Sequence, residues 1–245
     1  MAVTQTGSTT QYTIGNANTG TVSTTITVPA DAEFVVVGIT HYSSTVSTIL
    51  SNGSMTFTKG GVDTAMTSAT TDGDSTTSAM MVAMYYMALP DTGSNKTLKW
   101  DWAGAGTLSQ ASGLVSVTFW KGVDTASPIR SVSGTQSTAL PYVTATLTAV
   151  SGDLVIAYAG AFYTGPTEGS VATWSSLTSL SQLTGVAFAG NSSCDGAWAT
   201  TSPSGNLAVG ASTSSLWEDG GIIAIVVKAG ASGDTFANIC QRFYI

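Results

Sequence analysis

Two stretches of this 245-residue chain are apolar on both faces of any strand they form: Phe34–Ile39 (FVVVGI) and Ile222–Val227 (IIAIVV). Side chains alternate across a strand, so a sheet with one wet face needs an apolar residue only at every second position. A run with no polar face belongs to a central strand covered on both sides. Around these runs Thr and Ser alternate with Val, Ala, Leu and Ile. Val143–Thr148 (VTATLT), for example, reads as a polar edge strand. Long helices are ruled out. Charged residues are only 9% of the chain, so the Glu, Lys and Arg that a helix carries on its outer face are nearly absent. The fold class that follows is all-β.

The polar surface is made of hydroxyls and amides. The chain holds 32 Ser, 40 Thr and 27 Gly, and hydrophobic residues are 43% of it. Mean hydropathy is +0.26, the opposite of the apolar-poor, charge-rich composition of disordered chains. The net charge of −7 repels nucleic acid and anionic lipid, and 7 Lys and Arg are too few and too scattered for a basic face. Neither nucleic acid nor membrane is therefore an expected partner. The longest apolar runs, Ala79–Leu89 and Ile222–Val227, fall short of the ~20 residues of a membrane span. Met1–Gly20 has neither a basic nor an apolar segment of the signal-peptide kind, so the expectation is synthesis in a cytosol without ordinary export. In such a reducing compartment Cys194 and Cys240 read as two thiols.

Strands are expected at 21–28, 34–42, 55–58, 79–89, 97–102 and 114–121. A second series is expected at 143–148, 154–159, 185–189, 196–200, 207–211 and 221–228. Their lengths and spacing suit an antiparallel two-sheet β-sandwich, jelly-roll-like in grammar. The two series are alike. TTITVPADAEFVVVGIT (Thr24–Thr40) parallels TATLTAVSGDLVIAYAG (Thr144–Gly160): an alternating Thr-rich strand, a short turn with an acid, a buried strand. Ser94–Gly122 and Ser204–Gly230 likewise each give a strand, a polar loop and a buried strand that closes on Lys-(Ala)-Gly. This is a degenerate internal duplication of about 100 residues, too long for a solenoid repeat. The expected organisation is an N-terminal arm over 1–20, a sandwich over 21–230 with halves 21–121 and 143–228, and a tail over 231–245. One shared core and two small sandwiches both satisfy this pattern. The short joint Gly122–Pro141, anchored by Val123 and Ile129, favours one core.

The "VPA…VVVGI" opening, the YYMALPDTGSNKTLKW hairpin and the GVDTASPI joint give the stretch Thr21–Gly230 a resemblance to a β-sandwich family. That family is common among structural proteins of tailed phages and prophages, and occurs in some secreted bacterial proteins. The resemblance implies a display or assembly module without a catalytic motif. Lack of a signal peptide favours a virion location, with other virion proteins and copies of itself as partners.

The residues themselves suggest little catalysis. His41 is the only imidazole and ends a buried strand, where a structural role suffices. Asp72 and Asp74, and Glu218 and Asp219, sit in Gly-rich stretches where turns use Asp locally. Two oxygens from Asp72 and Asp74 do not complete a Ca²⁺ loop, and two cysteines with one histidine at these spacings do not make a zinc site. No cofactor, metal or catalytic group is expected. Trp100 and Trp102 share one strand face as core, with Lys99 and Asp101 opposite, and the methionines Met80, Met81, Met84 and Met87 read as gap-filling core or interface. The binding candidates are two sets. Phe236, Phe243, Tyr244 and Ile245 make an apolar, aromatic chain end suited to a protein partner. Tyr163, Trp174 and Trp217 lie among hydroxyls, where an aromatic face either packs under a loop or stacks on a sugar. The expected function is thus non-enzymatic: an exposed virion component, either head decoration or cement or a tail or fibre part. A carbohydrate-binding adhesion module for host surface polysaccharide is the alternative.

Overall fold

Strands form wherever the two-residue alternation runs uninterrupted. The computed structural model describes residues 2–14, 21–43, 53–73, 79–102, 112–137, 142–144, 146–162, 173–175, 181–188, 192–199, 205–212 and 219–231. The first half contains β1 (Thr4–Ile14), β2 (Thr21–Val28), β3 (Phe34–Ser43), β4 (Gly53–Lys59), β5 (Val62–Ala65), β6 (Thr67–Gly73), β7 (Ala79–Ala88), β8 (Gly93–Trp102) and β9 (Ser112–Lys121). The second contains β10 (Ile129–Ser137), β11 (Tyr142–Val143), β12 (Leu147–Ala149), β13 (Leu154–Phe162) and β14 (Thr173–Ser175). It continues with β15 (Ser181–Phe188), β16 (Ser192–Ala199), β17 (Gly205–Leu207), β18 (Gly210–Ser212) and β19 (Asp219–Val227). Among the described residues there is no helix, and every named strand pairing is antiparallel.

Each half is a two-layer sandwich. In the first, the sheet β1-β9-β3-β7-β6 faces the sheet β2-β8-β4-β5. In the second, β10-β19-β13-β16-β15 faces a layer made of β11-β18-β14 and β12-β17. The halves share one nesting. With β11 and β12 counted as one divided strand and β17 and β18 as another, the first and last strands lie side by side, the third lies next to the last, and the second strand pairs with the next-to-last in the opposite layer. This is the jelly-roll arrangement, and it occurs twice. The duplication extends to register: Phe34 lies opposite Trp120, and Leu154 lies opposite Val227. Lys121 and Lys228 follow those last two residues in the chain. β3 therefore corresponds to β13, and β9 to β19.

Three apolar clusters hold the layers. The first, inside the N-terminal sandwich, includes Val35, Val37, Met55, Phe57, Leu98, Trp100, Val117 and Phe119. The second, inside the C-terminal sandwich, includes Leu147, Val155, Ala157, Val209, Ile222, Ala224 and Val226. The third joins the two five-stranded sheets back to back and includes Phe34, Val36, Met84, Trp120, Ile156, Tyr158, Ile223 and Ile225. The doubly apolar runs are thereby explained. Alternate residues of β3 and β19 point into their own sandwich and into the other half, so neither face meets water. The structure thus differs from a single shared core: the molecule is a four-layer stack with a core inside each half and one between them.

Two expectations about the chain's outline change. Residues 4–14, read as part of a polar arm, form β1 along the edge of β9, and Val3 is fully buried in the third cluster. The joint after Gly122 contains β10, which pairs with β19. Both strands are rich in Thr, Ser and Gln, so neither shows a strong apolar period. Val143–Thr148 is indeed at a sheet edge but is divided into β11 and β12. Buried Thr144 spans the break: its N–H donates to Val209 O (2.9 Å), and its Oγ1 accepts from Val209 N (3.0 Å).

Candidate functional site

One group of charged side chains gathers where the two halves close. In the first half, the acid preceding β3 is Glu33. Its Oε2 accepts from the backbone N–H groups of Gly122 (2.6 Å) and Val123 (3.1 Å), just past the end of β9. In the second half, the acid preceding β13 is Asp153, completely buried. Its Oδ1 accepts from Ala229 N (3.1 Å), the position that corresponds to Gly122. Each half is therefore closed by one carboxylate tying the start of its third strand to the chain leaving its last.

Asp153 also takes Val150 N (3.0 Å) and a two-pronged contact from Arg130, Nε at 2.5 Å and Nη2 at 3.3 Å. Burial alone would raise this carboxyl's pKa. The hydrogen bonds from Arg130, Val150 and Ala229 outweigh it and hold the pKa below the usual value. The same contact raises that of Arg130. Beside Glu33, Asp31 accepts from Lys121 Nζ (2.6 Å) and from Thr6 Oγ1, which lowers its pKa. At the same end of the first sandwich, where Leu89 N donates to Glu33 O (2.7 Å), Asp91 takes Gly60 N (2.8 Å) and Gly61 N (2.9 Å), and those two bonds lower its pKa as well.

A cleft of about 640 Å³ opens beside these groups, lined by Ala2, Thr4, Ala30–Glu33, Lys121 and Gly122. Its two carboxylates and its ammonium group already bond to protein partners. Chemically the arrangement is a lock on strand ends. Gly122 is required there: its φ is +76°, and a Cβ would meet Ala2 O at 2.7 Å.

The second functional feature is the set of free strand edges. Among the described residues, β1 pairs only with β9, and β2 only with β8. Neither β1 (TQTGSTTQYTI) nor β2 (TVSTTITV) carries a charged residue.

Of the residues singled out from sequence, Tyr163, Trp217, Phe236, Phe243, Tyr244 and Ile245 lie outside the described residues, as do Asp74, Glu218 and Cys240. Trp174 is on β14, opposite Ala211 of β18, at the edge of the outermost layer. His41 is on β3, opposite Gly113 and Met81. Trp100 is buried in the first cluster, while Lys99 and Asp101 pair on the outer face at 3.4 Å. Met87 fills the first cluster and Met84 the third. Among the described residues no three His, Cys, Asp or Glu side chains gather to hold a metal, and no helix is long and apolar enough to cross a membrane.

Sequence reading missed Glu33, Asp153 and Arg130 as partners of distant backbone. The signal was present in the acid before each buried strand and the Lys after each last strand. What it lacked was the knowledge that those two points meet. Compared with known proteins, the chain matches no family model, no curated protein and no solved structure.

Proposed function

We propose that this chain is a non-enzymatic structural protein of a tailed-phage virion, exposed as head decoration or cement or as a tail or fibre component, and acting by protein–protein assembly. The observation that carries the reading is the pair of uncharged free edges, β1 and β2. Soluble proteins usually blunt such edges with Lys, Pro or a covering loop, because an open ladder pairs with other chains. Here each edge carries one register shift, between Thr6 and Thr10 and between Ile26 and Val28, but among the described residues it is otherwise open and hydroxyl-lined, which suits strand addition by a neighbour. The clasped, four-layer stack supplies a rigid body on which such edges keep their place. Jelly rolls serve in viral capsids and in lectins alike, so this part of the support is analogy of fold. The aromatic chain end, Phe236, Phe243, Tyr244 and Ile245, would add an apolar anchor to the same contacts.

Mass spectrometry of density-purified particles tests the reading. Peptides of this chain are expected at a fixed ratio to the major shell protein: hundreds of copies for decoration, a handful for a fibre or tail tip. Absence from particles overturns it. The second reading, a sugar-binding adhesion module using Tyr163, Trp174 and Trp217, draws on the position of Trp174 at the rim of the outermost layer. Tryptophan fluorescence titrated with host surface polysaccharide tests that reading, and no response at millimolar sugar removes it.

A further inference from the structure

The two halves meet as a two-fold interface would. In such an interface a contact between residues i and j is repeated between j and i. Val123 bridges Ala229, and Gly230 N donates to Gly122 O (2.8 Å). Gly122 corresponds to Ala229 and Val123 to Gly230, so each of these pairs is the image of the other under exchange of the halves. The packing of strands is reciprocal in part: β13 lies against β7 and β16 against β3, and β19 lies against β6 and β15 against β9, while the packing of β19 on β7 and of β10 on β6 belongs to one side alone. β3 and β13, which correspond to each other, are also in contact, as elements on the axis must be.

One pair of corresponding residues touches across this interface. Counting from Phe34 and Leu154, Gly38 of β3 corresponds to Tyr158 of β13. The buried ring of Tyr158 lies on Gly38, where a methyl group would overlap Cζ, Cε1 and Cε2. At the pseudo-two-fold axis the symmetry is thus deliberately broken, with a full aromatic ring on one side and no side chain on the other.

We propose that the Gly38–Tyr158 pair determines partner choice at this interface: it makes the inner face of each half fit the other half of the chain and not a second copy of itself. Two N-terminal faces would meet Gly on Gly and leave a void. Two C-terminal faces would force two rings into one space. Both are penalised in an interior packed to crystal-like density. The partner that the N-terminal face recognises is the second jelly roll of this chain, and a like-with-like pairing of copies is rejected.

The test is a swap in the full chain. Tyr158→Gly should lower the melting temperature by roughly 6–20 °C, as removal of a large buried ring does in a domain of this size. Gly38→Tyr should be at least as damaging. The double variant Gly38→Tyr with Tyr158→Gly should recover most of that loss, because the ring then enters the same space from the other half. If the double variant melts no higher than the worse single variant, the ring does not sit on an exchangeable position and the proposal fails. A companion variant, Gly38→Ala with Tyr158→Gly, guards against a swap that does not fold. It should be no less stable than Tyr158→Gly alone. If it is soluble while the swap is not, the proposal is likewise overturned.

Discussion

The two jelly rolls share a topology but fill it differently. The N-terminal sandwich is thickened by large side chains: Trp100, Phe57, Phe119 and Met55 are all fully buried between its layers. Among the described side chains, the C-terminal sandwich places Ala149, Ala157, Ala159, Ala211 and Ala224 at core positions, with Val, Leu and Ile between them. Its outer layer is divided, β11 from β12 and β18 from β17, whereas β2 and β8 run unbroken. The closing acid differs as well. Glu33 reaches two amides, while the shorter Asp153 recruits Arg130 as a second clasp. What survives the divergence is alternation, strand nesting and an acid before the third strand. Core volume is free to change when both layers of a sandwich change together.

The largest test of this contrast is Phe57→Ala. Phe57 packs against Phe119 at 6.4 Å between ring centroids, and its loss should cost about 3–5 kcal/mol, read as the shift in a urea midpoint. A loss below about 1 kcal/mol would mean that the aromatics do not support that core. Next comes Asp153→Ala, expected to cost about 2–4 kcal/mol, because it strands the N–H groups of Val150 and Ala229 and the Arg130 charge. Glu33→Gln keeps one acceptor and should cost only about 1 kcal/mol. Equal costs would erase the difference between the clasps. Ala157→Leu overfills the alanine-lined part of the C-terminal core and should cost about 1–3 kcal/mol, and a neutral result would reveal unfilled space there.

The mildest perturbation is pH. Asp31, Asp91 and Asp153 titrate lower in the folded chain than in the unfolded one. The unfolded state therefore takes up protons first as acid is added. Stability from these groups is complete above about pH 4 and falls away below it. Thermal melting should be flat from pH 7 to 5 and decline below 4. In Asp153→Ala the acid decline should be shallower, and an unchanged slope would remove Asp153 from the account.

Sequence reading reached the parts of the fold that alternation encodes. The runs Phe34–Ile39 and Ile222–Val227 announced strands covered on both sides, and the layers supply both covers. It did not reach β1 and β10, because an edge strand rich in Thr, Ser and Gln has nearly the composition of a loop. The likeness of GSTTQ (Gly7–Gln11) to SGTQ (Ser133–Gln136) was the available signal. The clasps were half legible: the acids could be seen, but a carboxylate bonded to backbone some 76 to 90 positions away leaves no mark on local pattern. The pairing of Gly38 with Tyr158 was hidden for the same reason.

Hydrogen exchange of the intact protein tests the four-layer stack most directly. β3, β9, β13 and β19 lie in the two inner layers, so their amides should be the slowest in the molecule and should open together, in both halves, with one common free energy. Amides of Phe34–Ile39 or Ile222–Val227 exchanging as fast as those of the outer-layer strands β2 and β12 would contradict the back-to-back stack.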